Sequence, residues 1–569
     1  VSAYALPGNT HRNVIMALLS TLDWLIVVGY FLLVFGVAIW ATRRQGTTTE
    51  SAAGYFLANR HAGWFIVGAS LFASNIGAEH LVGLAGTGAA SGVAVGQFEV
   101  LASLMLLILG WVFVPFYLRS GVFTMPEFLE RRYSRGARRY LAGISIVAYV
   151  LTKISVTVAA GGIVFEALMG IDFWTGALVV IVATGIYTIL GGLTAVLYTD
   201  LLQLFVLIGG SVAVTMAGLS ALGGWEVVVQ TSAPGFLDMW RPVTDPAFPW
   251  TGILFGAPIL GVWYWCTDQF IVQRVLAAHN QDHARRGAIF GGFLKLLPLF
   301  LFVVPGVIAA ALARQGRLTL ETPDQALPAL VAALLPVGLR GLVVAGLLAA
   351  LMSSLSAVFN SCATLITWDV YREMRPRASE RQLVMVGQAS TAVLVGLGLL
   401  WIPFMRNISG QLYQYLQSVQ AYISPPIAAV FLIGILWPRA NAKGAMTALL
   451  LGFALGVIRL VAELNRGSLS GPLLALAEIN FLHFAVLLFV VCSVALIVVS
   501  AVTPRPPVEK LAGLTFAMAD ARPAVAEEAH PPEPVAASVM VSAPRWRRTD
   551  LALSVLLAAS VGAIWLYFS

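Results

Sequence analysis

Apolar stretches of about 20 residues recur along this chain from Trp24 to Phe568, each long enough to cross a hydrocarbon layer roughly 30 Å thick. Hydrophobic residues make up 59% of the chain and charged residues 11%, whereas a soluble domain carries about a quarter charged residues. Water is therefore not its main solvent. The net charge of +7 sits in short loops between apolar segments, where topology accounts for it better than a nucleic-acid partner does. Cys266, Cys362 and Cys492 fall inside apolar stretches with no paired spacing, so neither a disulfide framework nor a zinc or redox centre is expected. The first stretch has Asp23 in front and Arg43 and Arg44 behind, the wrong charge order for a cleaved leader.

Hydropathy and punctuation predict an all-α polytopic membrane protein of about fourteen transmembrane helices. They start near residues 24, 64, 94, 140, 173, 196, 250, 288, 339, 383, 411, 444, 481 and 550. An even count puts both termini on one side. Loops carrying Arg43, Arg44 and Arg60, Arg119 through Arg139, Arg285 and Arg286, and Arg372 through Arg381 all fall on the other. The positive-inside rule makes those loops cytoplasmic and the termini extracellular or periplasmic. Two segments look broken: Trp64 to Ala90 holds the polar run Ser74 to His80, and Trp250 to Leu276 holds Gly256, Pro258 and Gly261. Their places in the helix order give them opposite directions, as two inverted five-helix halves require. Unwound backbone at mid-membrane leaves carbonyls and amides free, which is where a solute would bind. The loop from about residue 504 to 549 is rich in Pro, Ala and Glu and is expected to be cytoplasmic and disordered.

A charge at bilayer depth costs about 2.5 to 3.5 kcal/mol on insertion scales, so each one needs a reason. The charges in question are Glu79, Glu99, Lys153, Glu166, Asp200, Asp268, Lys295 and Arg459; Glu166 and Arg459 lie near span ends and are expected to snorkel. Carboxylate, ammonium, the His80 imidazole and the amides of Asn75 and Gln417 form a mixed donor and acceptor set, which suits a neutral polyhydroxylated ligand. Tyr264, Trp265 and Tyr413 would cover the apolar faces of its ring. Ala350, Ser353 and Ser354 share one helix face at spacings of three and four. Together with carbonyls of Ala73 and Ile76 at the first break, they offer neutral oxygens to a small hard cation. Against this stands the plain packing role of Ser-Ser in a membrane helix. The chain contains no phosphate-binding loop, HExxH or GxSxG motif, so an enzyme is not expected and transport must draw on a gradient.

The run SLFASNIG at 70–77, followed by VGLAGTGAASG at 82–92, resembles the sodium/glucose cotransporter family of the solute:sodium symporters. So do IYTILGGLTAVLYTD at 186–200, WYWCTDQ at 263–269, IVQR at 271–274, MSS at 352–354 and SGQ at 409–411. The resemblance implies a LeuT-like core with broken first and sixth core helices, formed by inverted repeats at 64–223 and 250–437. Additional helices at 23–41, 444–503 and 550–568 flank it, after an extracellular N-terminus at 1–22. The resemblance also implies sodium-coupled symport of a hexose, glucose or galactose type, through the plasma membrane by alternating access. Sodium is the coupling ion, with no cofactor, nucleic acid or obligate protein partner. Sugar contacts carry over to Asn75, His80, Glu99, Tyr264, Trp265, Lys295 and Gln417. Tyr264 also stands at the inner gate and Tyr413 at the outer lid. The sodium ligands are Ala73, Ile76, Ala350, Ser353 and Ser354. Asp200 with Ser356 stand where two-sodium members bind a second ion, so one or two sodium ions per sugar are both open. Gly261 stands where animal relatives have a hydroxyl residue. Gln414 stands where they have Asp, which leaves Lys153 without that partner. The alternatives are a polyol such as myo-inositol as cargo, or a sugar-binding sensor or uncoupled channel.

Overall fold

A computed structural model describes residues 19–44, 60–77, 79–405, 412–518 and 544–569. The first eighteen residues, the SGQ motif at 409–411 and the part of the tail loop at 519–543 lie outside the described residues. Among the described residues the chain is helical throughout, with two isolated β-bridges and no sheet. Eleven helices among the described residues are long and apolar enough to cross a membrane.

That number is smaller than the expected fourteen because three expected crossings are fused to a neighbour or interrupted. The segment Glu79–Ser120 holds the second half of the crossing expected at 64 together with the one expected at 94. Trp64 N–H bonds His283 and Ala85 lies against Gly306, but Ser103 bonds the Gly292 carbonyl and Gly110 faces Arg285. The chain thus climbs along the helix beginning at Gln281 and then returns down it. It turns at Gly92, whose φ of +79° and contact with the Phe236 carbonyl both exclude a side chain.

Helical residues run without a gap from Phe173 to Leu222, 50 in all, where two helices separated by a break are expected. Straight, the segment would measure about 75 Å, more than twice the bilayer core. Its first half passes Gly398, Val395 and then Gln388 of the helix Glu380–Met405. Its second half passes Ser353, Gly346 and then Val343 of Leu339–Leu365. Those two partners are antiparallel across a short link, so the 50-residue segment doubles back and crosses twice.

Each broken helix leaves the helical path at an extended residue near a π-helical turn. In the first, Trp64–Asn75 stops at Ile76 (ψ 93°) and the chain resumes as Glu79–Leu84. In the second, the expected glycines and proline are not the break. Pro258 sits in the first turn of Ala257–Gly261, where a missing N–H costs little, and the helical path continues to Thr267. The backbone leaves it at Asp268 (ψ 130°), whose side chain caps the next helix by accepting from Phe270 N–H at 3.1 Å. Ala62 N–H bonds the Ala277 carbonyl and His279 N–H bonds the Ala62 carbonyl. The first broken helix therefore begins where the second ends, and the two run antiparallel.

Buried polar side chains tie distant elements together. Arg132 donates to the carbonyls of Gly434, Ala440 and Trp437, closing the end of the helix Leu412–Leu436. Asp23 accepts the N–H groups of Gly338 and Gly341, capping Leu339–Leu365 from the first helix. Arg459 does not snorkel: it is 3% exposed, donates to the Ile479 carbonyl and lies over the rings of Tyr422 and Phe484. Glu166 is exposed at its helix end. Residues 504–518, expected to lack structure, lie against the body: Leu511, Ala512 and Leu514 are buried, and Lys510 donates to the carbonyls of Glu130 and Tyr133. The last helix is Pro544–Tyr567, starting a turn and a half before the expected position.

Candidate functional site

The two helix breaks meet at a narrow cavity lined by polar and aromatic side chains. Asn75, Glu79 and His80 reach it from the first break, and Tyr264 and Trp265 from the π-helical turn before the second. Glu99 comes from the first turn of Gln97–Ile108, an end where a carboxylate is favoured by the helix dipole. Tyr413, Gln417 and Gln420 line the far wall from Leu412–Leu436.

Lys295, at the end of Gln281–Leu294, organises one side. Its ammonium donates to Asn75 Oδ1 and Glu99 Oε2 and lies 3.4 Å from His80 Nε2. The same His80 nitrogen is 3.1 Å from Glu99 Oε1, and the ammonium stands 5.3 Å from the centre of the Trp265 ring. Lys153 organises the other side. It donates to Glu79 Oε1 at 2.5 Å and to the Tyr264 hydroxyl at 2.8 Å. Asn75 Nδ2 also donates to that hydroxyl, at 2.8 Å, so one phenol oxygen joins the two sides. Two cations and two carboxylates thus pair off and leave the cavity without net charge. Two buried polar atoms in its wall have no hydrogen-bond partner, His80 Nδ1 and Glu79 Oε2.

Every residue expected to touch a sugar is therefore brought to this one network or its wall. Two matters left open by the sequence are closed by contacts. Lys153 does not need a carboxylate at position 414, because Glu79 supplies it. Gly261 leaves room that Met105 fills: a Cβ there would come within 2.7 Å of Met105 Cγ. Sequence reasoning singled out Glu79 and Lys153 only as buried charges and missed Phe98 and Gln420 as wall residues. The charges were visible at spanning depth, but their pairing joins residues 74 positions apart. Phe98 carried no signal, since one more aromatic residue in an apolar helix is unremarkable.

The five expected cation ligands lie on the first broken helix and on Leu339–Leu365. Ala73, Ile76, Ala350, Ser353 and Ser354 are all buried, and the helix Leu339–Leu365 meets the first break at Ser354, whose hydroxyl donates to the Ser74 carbonyl at 3.0 Å. Gly77 allows this approach, since a side chain there would overlap the Ser354 hydroxyl. Asp200 and Ser356 are not brought into direct contact by a hydrogen bond. Asp200 accepts from Ser70 at 2.6 Å, from Ser74 at 2.8 Å and from Ser353, while Ser356 donates to the Ser353 carbonyl of its own helix.

A cavity where two antiparallel broken helices cross defines a secondary transporter of the inverted-repeat class. The chain matches the sodium:solute symporter family over residues 55–452 and belongs to it. It is 40% identical to sodium/glucose cotransporter 1 of Oryctolagus cuniculus over 85% of this chain and 79% of that one. It is 39% identical to the sodium/myo-inositol cotransporter of Canis lupus familiaris over 88% and 76%. The fold is that of a solved Na+-coupled sialic acid symporter in a substrate-bound outward-open state, with a TM-score of 0.72 and 21% identity over 85% of this chain and 99% of that one.

Proposed function

We propose that this protein carries a neutral hexose of the glucose or galactose type into the cell together with sodium, by alternating access, and performs no enzymatic reaction. The carrying observation is the unpartnered His80 Nδ1 in a cavity whose four charges cancel in pairs. With Nε2 against Glu99, a neutral imidazole donates from Nε2 and presents Nδ1 as an acceptor. A sugar hydroxyl is a donor of the right kind, and its second hydrogen-bonding role falls to Gln417 or Asn75. An anionic or cationic solute would leave a charge uncompensated in a buried site. Tyr264, Trp265 and Tyr413 supply aromatic surface for the ring, with Tyr264 as inner gate and Tyr413 as outer lid. The names of the rabbit and other cotransporter relatives favour the same cargo. Sodium is the coupling ion, held by the carbonyls of Ala73, Ile76 and Ala350 and the hydroxyls of Ser353 and Ser354, and no other cofactor is needed. The working unit is the pair of repeats at 64–223 and 250–437 in the plasma membrane, with both termini outside.

The decisive experiment is uptake of labelled glucose, galactose and myo-inositol into proteoliposomes with an inward sodium gradient, against a potassium control at clamped voltage. Accumulation of one hexose above equilibrium only with sodium is the expected result. Sodium-independent equilibration would mean an uncoupled channel, and binding without uptake a sensor. Myo-inositol is the second reading, because the canine myo-inositol relative is as similar as several glucose ones; accumulation of inositol in place of a hexose would establish it.

A further inference from the structure

Glu79 is absent from the sugar and cation sets above, yet it lies between them. Its Oε1 is held by Lys153 at 2.5 Å, and the residue is 2% exposed. Its Oε2 has no hydrogen-bond partner. A Cβ added at Gly77 would touch Glu79 Oε2 at 2.7 Å and would also overlap the Ser354 hydroxyl. The two oxygens therefore face each other across the bare Cα of Gly77, at the point where the first broken helix is unwound. A buried carboxylate oxygen without a partner is costly unless something positive comes to it.

We propose that Glu79 is a further cation-site residue: through Oε2 it supplies the negative charge that the neutral-oxygen sodium site lacks, and through Oε1 and Lys153 it passes cation occupancy to the Tyr264 hydroxyl. This rests on the reading of Ala73, Ile76, Ala350, Ser353 and Ser354 as the sodium site. The carboxylate accounts for three observations at once. Gly77 is bare because a side chain would stand between the anion and Ser354. Lys153 keeps Glu79 charged and fixed by taking only one of its two oxygens. Tyr264, which lines the sugar cavity, receives hydrogen bonds from both Lys153 and Asn75, so a shift of charge at Glu79 is felt at the sugar wall. Sodium bound beside Oε2 draws the carboxylate toward Gly77 and weakens its hold on Lys153, which then donates more strongly to Tyr264.

The test measures binding of radiolabelled sodium to the purified full chain without sugar, and of labelled glucose at saturating sodium. Wild type, Ser354→Ala, Glu79→Gln and Glu79→Asp are compared. Glu79→Gln is expected to weaken sodium binding about tenfold or more, as loss of a charged contact does, with a smaller change in glucose affinity once sodium saturates. Glu79→Asp keeps a charge for Lys153, draws back the second oxygen, and should weaken sodium less. It serves as the test should the Gln variant fail to fold. If Ser354→Ala weakens sodium binding but neither folded Glu79 variant does, the proposal is overturned and Glu79 belongs to the sugar site alone. The proposal fails equally if Glu79→Gln lowers glucose affinity at saturating sodium and leaves sodium binding unchanged. If Ser354→Ala has no effect either, the underlying sodium site is what fails.

Discussion

At the scale of single residues, the cavity separates side chains that hold the fold from those that wait for a ligand. Lys295 and Lys153 are committed to carboxylates, and removing either strands a buried charge. His80 and Gln417 are different, because they can be cut back without leaving an ion behind. His80→Ala and Gln417→Ala should each weaken hexose binding about tenfold, the worth of one or two lost hydrogen bonds, while the detergent-solubilised protein keeps its elution profile and helicity. Equilibrium binding with labelled glucose checks this, and unchanged affinity in both variants would remove these residues from the sugar site. Ser354→Ala should raise the sodium concentration for half-maximal uptake several-fold, measured at saturating sugar, because the cation loses an oxygen ligand. These residues were legible in the sequence as polar groups at spanning depth. The Lys153 and Glu79 pair was not, since pairing across 74 positions leaves no local pattern.

At the scale of elements, the last helix is the clearest case of an apolar span fixed by polar contacts. Asp550 is fully buried and accepts from both Arg285 and Arg286, Trp111 bonds Ser554, and Trp565 bonds Gln97. Between apolar surfaces in lipid there is little hydrophobic drive, so such polar contacts decide where a helix docks. Asp550→Ala removes the buried carboxylate that holds Arg286 and Arg285, the latter keeping Asp282 at 2.7 Å, and should lower stability by about 1.5 to 3 kcal/mol, seen as a lower unfolding midpoint in detergent. Arg285→Ala in the same background should then cost less than it does alone, which a double-mutant cycle would register. The helices themselves were legible from hydropathy, and the first break from its polar run. The break at Asp268 was misjudged because glycine and proline are tolerated in membrane helices wherever their neighbours satisfy the backbone. The two crossings expected near 173 and 196 were legible from hydropathy, and what hydropathy did not show is that the helical residues run between them without a gap.

At the scale of the whole molecule, the coupling ratio follows from how many cation sites the fold presents. One sodium ion crossing about 100 mV gains roughly 2.3 kcal/mol, and a tenfold gradient adds about 1.4 kcal/mol. A single ion therefore limits sugar accumulation to roughly 500-fold, and two would square that limit. Asp200 is already satisfied by three serine hydroxyls and Ser356 turns to its own helix. The expected stoichiometry is one sodium per sugar, read from the reversal potential of sugar-dependent current in proteoliposomes; a two-to-one ratio would return Asp200 to the cation-binding set. The sequence by itself determined the solvent, the helical class, the position of the first break and the kinds of side chain placed at mid-membrane. Those follow from the hydrocarbon layer, which demands long apolar runs and makes every exception conspicuous. Only the tertiary structure decided which charges cancel, which buried atoms stay without a partner, and that Glu79 faces Ser354 across Gly77. In a low-dielectric interior these depend on separations of a few ångströms between residues far apart in the chain, and hydropathy carries no record of them.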